Sequence, residues 1–179
     1  MHDVASELSG DRVLVRARFV AAAIAGLLLS FSATAADSFW ALVADLEAAV
    51  PFSESKIRDA LGTGLDKEQQ GQPPTVVYRT SGFLLKDRSQ IEAATWAPGS
   101  GKTPSAITLT RPAVAARTDA CLSRAEVSRN YGAPVRSWAS MIGDVSYTNF
   151  EFAQPKARVS VAFSDVTNCL RTLTITEAR

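Results

Sequence analysis

Two segments of the chain match at an offset of 70 residues, Phe52–Gly62 (FSESKIRDALG) and Leu122–Gly132 (LSRAEVSRNYG). Ser53 falls on Ser123 and Gly62 on Gly132, while Phe52, Ile57 and Leu61 fall on Leu122, Val127 and Tyr131. Each segment reads as a short helix with a serine cap and a glycine stop. The serine oxygen accepts from the orphan amides of the first turn, and glycine adopts the left-handed turn that closes the last. A strand-rich stretch follows each copy. A period of this size is a supersecondary unit used twice, and such units bury their apolar faces only by sharing a core.

The first 35 residues stand apart from that pattern. Arg12, Arg16 and Arg18 form a basic flank, Phe19–Phe31 is an apolar run, and Ala33 and Ala35 hold the small-residue positions of a signal-peptidase site. This is the secretory order, with cleavage expected after Ala35 or, as the second choice, after Ala36. A membrane anchor needs about 20 apolar residues, more than this run supplies. No cysteine follows to carry a lipid, so no anchor is expected after processing. The polar stretch before Arg12 is long for a leader, which leaves Val13 as an alternative start beside Met1. The expected organisation is a leader over 1–35, a first unit over 36–111 and a second over 112–179.

Of the 19 basic and 18 acidic residues, three of each lie in the leader, so the remainder keeps the net charge of +1. That balance argues against nucleic acid or an anionic membrane as partner. Cys121 and Cys169 both lie in the exported part, where two cysteines most simply form one disulfide. It would close a loop of roughly 49 residues, for which chain entropy suggests on the order of 4 kcal/mol. The alternative, a lone reactive thiol, has no histidine to activate it, since the only one is His2.

After the leader, Asp37 or Ser38 caps a helix through Val50 with Trp40, Val43, Leu46 and Val50 on one face, and Pro51 ends it. Asp66–Pro74 (DKEQQGQPP) reads as a polar loop. Thr75–Ser81, Ile91–Ala97 and Ala106–Arg111 have strand composition, the first with a possible extension through Phe83–Leu85. Arg111–Asp119 links the halves. The second unit opens on Ser123-Arg124-Ala125-Glu126, a capping-box pattern. Its helix stops at Gly132, and a loop follows whose Trp138 is either an anchor in the core or a rim contact. Val145–Phe152, Ala157–Ser164 and Asn168–Thr176 then read as strands. In the last, Cys169, Leu173 and Ile175 face one way, and Thr172, Thr174 and Thr176 form a polar ladder on the other. Helices in front of strand runs indicate the α+β class, with helices on one face of an antiparallel sheet and the other face open.

Catalytic chemistry is hard to assemble from these residues. With His2 in the leader, Ser-His-Asp and Cys-His nucleophiles and imidazole zinc sites are not available. Glu92, Asp144, Glu151 and Asp165 show no spacing that pairs two carboxyls for glycoside hydrolysis. Ala97–Thr103 imitates a phosphate loop but has Trp96 where the first glycine belongs. The chain is expected to be non-enzymatic, with no cofactor and no metal. The better signal is aromatic. If Ile91, which falls on Val161 at the 70-residue offset, points to the helices, Trp96 lies on the open face. Tyr78, Arg79, Glu92 and Tyr147 are its companions as partner-binding candidates, since such residues dominate interface hot spots. Trp96 and Tyr147 are each either contact residues or core.

The second unit also carries a recognisable order. A helix ends in Tyr131-Gly132-Ala133-Pro134, and an aromatic strand follows with Tyr147, Phe150 and Phe152. Then come Val161-Ala162-Phe163-Ser164-Asp165, a turn, and Cys169–Ile175. This resembles the outer-membrane assembly lipoproteins of the SmpA/OmlA (BamE) type, whose unit is a helix, an LG-x-P stop and a three-stranded meander. Two such units in tandem in an exported protein resemble the β-lactamase inhibitor protein (BLIP-like) architecture. The first unit lacks the proline after Gly62, and no contact residue of the inhibitor family maps onto this chain. The resemblance implies a periplasmic or secreted binding protein acting on another envelope or secreted protein, as an inhibitor or immunity protein. The alternative is a structural factor of envelope assembly. Within this scheme the disulfide makes the second unit the scaffold, and the first, which carries Trp96, chooses the partner.

Overall fold

A computed structural model of the chain describes residues 36–71, 75–112 and 121–178. The leader and most of the interunit linker lie outside them. Ser38 caps α1 (Phe39–Ala48), its hydroxyl accepting from the Ala41 amide at 3.2 Å. Phe39, Leu42, Val43 and Leu46 are buried at helical spacing, the stripe an amphipathic helix turns to a core. The echoed segments form α2 (Glu54–Leu61) and α3 (Arg124–Tyr131), each capped by the expected serine. Gly62 and Gly132 end them at φ +65° and +77°, a conformation that side chains disfavour. In α3 the capping box is complete, with the Glu126 carboxylate accepting from the Ser123 amide at 2.7 Å.

The strands are β1 (Asp66–Gln70), β2 (Thr75–Leu84), β3 (Gln90–Ala97), β4 (Ala106–Thr110), β5 (Arg136–Ile142), β6 (Val145–Ala153), β7 (Ala157–Ser164) and β8 (Leu170–Glu177). They form one antiparallel sheet in the order β1-β2-β3-β4-β8-β7-β6-β5. Each half is a four-stranded meander, and the halves join where β4 pairs with β8. The three-stranded unit implied by the resemblance is thus one strand short. Asp66–Gln70, expected as loop, is the extra strand of the first half. The segment around Trp138 is the extra strand of the second. Both are edge strands, held by backbone pairing to one neighbour, which demands no apolar run; all of β1 is exposed.

The core lies between the three helices and one sheet face. Leu109 faces Leu173 and Ile107 faces Ile175 across the central pair, all at most 1 % exposed. Outward from them, Ala94 and Val161 flank the first pair, and Trp96 and Val159 the second. Helix α1 contributes Leu42, Val43 and Leu46 to the same core. It bridges the halves, with Trp40 against the Tyr131 ring of α3 at 6.0 Å and Glu47 accepting from the Tyr131 hydroxyl at 2.8 Å.

Cys121 and Cys169 form the expected disulfide, across 48 positions of sequence. It ties the approach to α3 to the start of β8, beside the Leu170 amide donating to the Leu122 carbonyl at 2.9 Å. Such a bond belongs to an oxidising, extracytoplasmic compartment. No helix among the described residues is long and apolar enough to cross a membrane.

Candidate interaction surface

The sheet face away from the helices is built from alternate residues of every strand. One row crosses it from edge to edge through the register. At its centre Thr108 lies opposite Thr174, their hydroxyls 2.9 Å apart. Outward on either side come Thr95 and Ser160, then Arg79 and Glu151, then Asp66 and Arg136. The middle of the row is uncharged hydroxyl, able to donate and accept. The ends carry charge, and the two halves place opposite signs at matching steps. The threonine ladder expected of the last strand is present within this face, with Thr172 opposite Thr110.

On the β5–β6 hairpin the same face becomes aromatic. Trp138 lies opposite Asn149, and Tyr147 opposite Ser140. The Arg136 guanidinium stands 5.2 Å from the Trp138 ring centre. Asn149, buried, donates its amide to the Trp138 carbonyl at 3.2 Å and to the Ser140 hydroxyl at 2.8 Å, which fixes the two strands to each other. Ile142 and Val145 continue this face to the hairpin end, Ile142 being 71 % exposed.

The partner-binding candidates separate on this frame. Arg79 is exposed and belongs to the polar row. Tyr147 is half-buried on the open face, five strands across the sheet from Arg79 and outside its row. Trp96 is not on the open face. It is 7 % exposed within the core, its indole N–H donating to the Ser105 hydroxyl at 2.9 Å. Tyr78 packs beside it, ring centres 4.9 Å apart. Glu92 is exposed but accepts from Arg171 at 2.7 Å, an ion pair joining β3 to β8. The register explains Trp96: Val161 corresponds to Ala94 rather than Ile91, since both lie next to the Leu109–Leu173 pair. Ile91 is also in the core. The buried positions of β3 change parity between Ile91 and Ala94, while its register with β2 is the same on both sides of Gly82. A Cβ on Gly82 would come within 3.1 Å of the Ile91 and Glu92 carbonyl oxygens, a tight approach that favours glycine.

Arg136, Trp138 and Glu151 of this surface were not among the partner-binding candidates, Trp138 being expected as a core anchor or a rim contact in a loop. Their signal was the alternation Arg136, Trp138, Ser140, Ile142, obscured by Gly132 and Pro134 just before it. On the helix side, burial lowers the pKa of Arg111, against the raising influence of Asp87 and Glu126. Burial and then the Glu47 carboxylate raise that of Tyr131 far beyond the ordinary phenol range. Between α3 and the sheet is a cavity of about 70 Å³ lined by Val127, Phe150, Phe152 and Phe163, well below the roughly 300 Å³ at which small-molecule sites begin. Comparison with protein families, with curated proteins and with solved structures finds no match for the chain.

Proposed function

We propose that this is an exported, non-enzymatic binding protein of the inhibitor or immunity type, which holds another envelope or secreted protein against the sheet face opposite its helices. The observation that carries the reading is the undivided eight-stranded sheet with its helices on one face and a polar row, flanked by Trp138 and Tyr147, on the other. A broad face of hydroxyls, paired charges and aromatic residues suits a protein surface better than a small molecule, because recognition is spread rather than convergent. The tandem arrangement, a helix before each meander, supports the BLIP-like resemblance, and the disulfide supports a periplasmic or secreted setting.

Affinity capture from a periplasmic extract with the processed, oxidised protein tests this. The expected result is a stoichiometric protein partner, lost with Thr108→Lys, which sets a long cation at the centre of the face. Recovery of a small ligand and no protein would defeat the reading. Undiminished capture by Thr108→Lys would defeat the assignment of the face.

A further inference from the structure

We propose that β5 is a self-pairing edge, along which two copies of the chain join antiparallel about Ala139 into one continuous sheet. This rests on the edge strand and not on the partner reading above. The two-residue turn Gly143–Asp144, with φ +58° at Gly143, makes Ile142 and Val145 the innermost pair of the β5–β6 hairpin. The Asp165 amide donates to the Ser146 carbonyl, so Ser146 turns its backbone toward β7 and Val145 toward β5. Alternation then leaves Ser137, Ala139 and Met141 with their N–H and C=O groups directed away from the sheet.

The two edges of the sheet are built differently. Strand β1 carries Asp66, Lys67 and Glu68 on an exposed stretch of 5 residues, the usual protection against edge pairing. Strand β5 has 7 residues, and its only charge is Arg136 at the very start. Met141 and Ile142 at the other end are each 71 % exposed. An edge of this length without charge along it is a template for another strand.

A second copy fits that template through its own symmetry. Centred on Ala139, the antiparallel register sets Ser137 opposite Met141 of the second copy and Ala139 opposite itself, so every outward backbone group meets an outward one. Small residues meet large ones, Ser140 opposite Trp138 and Ser137 opposite Met141. Arg136 lies opposite Ile142 of the second copy, next to the turn that carries Asp144, so unlike charges are brought together at both ends. The like charges sit at opposite ends of the joint, where a charge at the centre would have faced its own copy. A joint of one strand is at the small end of interfaces, so the association depends on concentration.

Sedimentation velocity of the processed, oxidised protein from roughly micromolar to roughly millimolar concentration tests the proposal. The expected result is a monomer–dimer equilibrium. Ala139 is exposed, so Ala139→Glu and Ala139→Lys leave the core untouched while setting like charges face to face. Each alone is expected to weaken the dimer tenfold or more, and an equimolar mixture of the two to restore it as a heterodimer. Unchanged circular dichroism would show that both variants fold. A monomer at every concentration overturns the proposal. So does a dimer indifferent to both substitutions, or a mixture that fails to restore pairing.

Discussion

Trp96 is enclosed by neighbours from two adjacent strands, Tyr78 on β2 and Ile107 on β4, and its one polar atom is satisfied by Ser105. Removing so large a buried side chain leaves a cavity that the two ladders hold open. Trp96→Ala is therefore expected to cost about 3–5 kcal/mol, read from urea unfolding. A loss under about 1 kcal/mol would contradict the buried placement. Sequence phase misassigned this residue because the core-facing alternation of β3 changes between Ile91 and Ala94, which exchanges the strand's faces with no slip in its pairing with β2. Tyr131 shows the opposite case. The echo set it on the apolar position of Leu61, and the ring does pack against Phe152 with centres 5.3 Å apart. Its hydroxyl reaches Glu47, a pairing across 84 positions that no local pattern announces.

Among the elements, α3 depends most visibly on its cap. Hydrogen bonds from the Ser123 backbone and then its side chain hold the Glu126 pKa below the ordinary carboxylate value. A lowered native pKa means that ionised Glu126 favours the folded state. That contribution is complete above the unfolded value of about 4.3 and disappears as pH falls through the folded one. Glu126→Gln keeps an acceptor but loses the charge. The variant is expected to be less stable than the parent by about 0.5–1 kcal/mol at neutral pH, with the gap closing as pH falls below about 4. Urea midpoints at several pH values check this, and a gap independent of pH would refute it. The edge strands differ in what could be read from them. The composition of β1 is that of a loop, whereas β5 has a period-two pattern hidden behind helix-stop residues.

At the scale of the molecule, the halves are joined through β4 and β8 and share one core. Ile107, Leu109, Leu173 and Ile175 belong to both halves at once, and α1 packs over the same core. The two units should therefore unfold together. Leu173→Ala lies in the second unit, yet it is expected to lower the stability of both by about 2–5 kcal/mol. Tryptophan fluorescence samples Trp40 and Trp96 in the first unit and Trp138 in the second, so it should follow the same single transition as far-ultraviolet circular dichroism. Separate transitions would refute the shared core. The expected division of labour is also altered. Among the described residues, the tryptophan on the open face is Trp138 of the second unit, while Trp96 of the first is structural.

The sequence by itself determined the helices α2 and α3, their serine caps and glycine stops, the strands rich in β-branched residues, the α+β class and the pairing of Cys121 with Cys169. Caps act within about three residues and strand alternation within two, so these signals are carried by neighbours along the chain. The tertiary structure decided what depends on residues far apart. It made β1 and β5 strands by offering each a backbone to pair with, and it placed Trp96 inside by changing the core-facing alternation of β3 between Ile91 and Ala94. Joining β4 to β8 aligned the two halves of the polar row, because a ladder is set by which strands meet rather than by the residues of either alone.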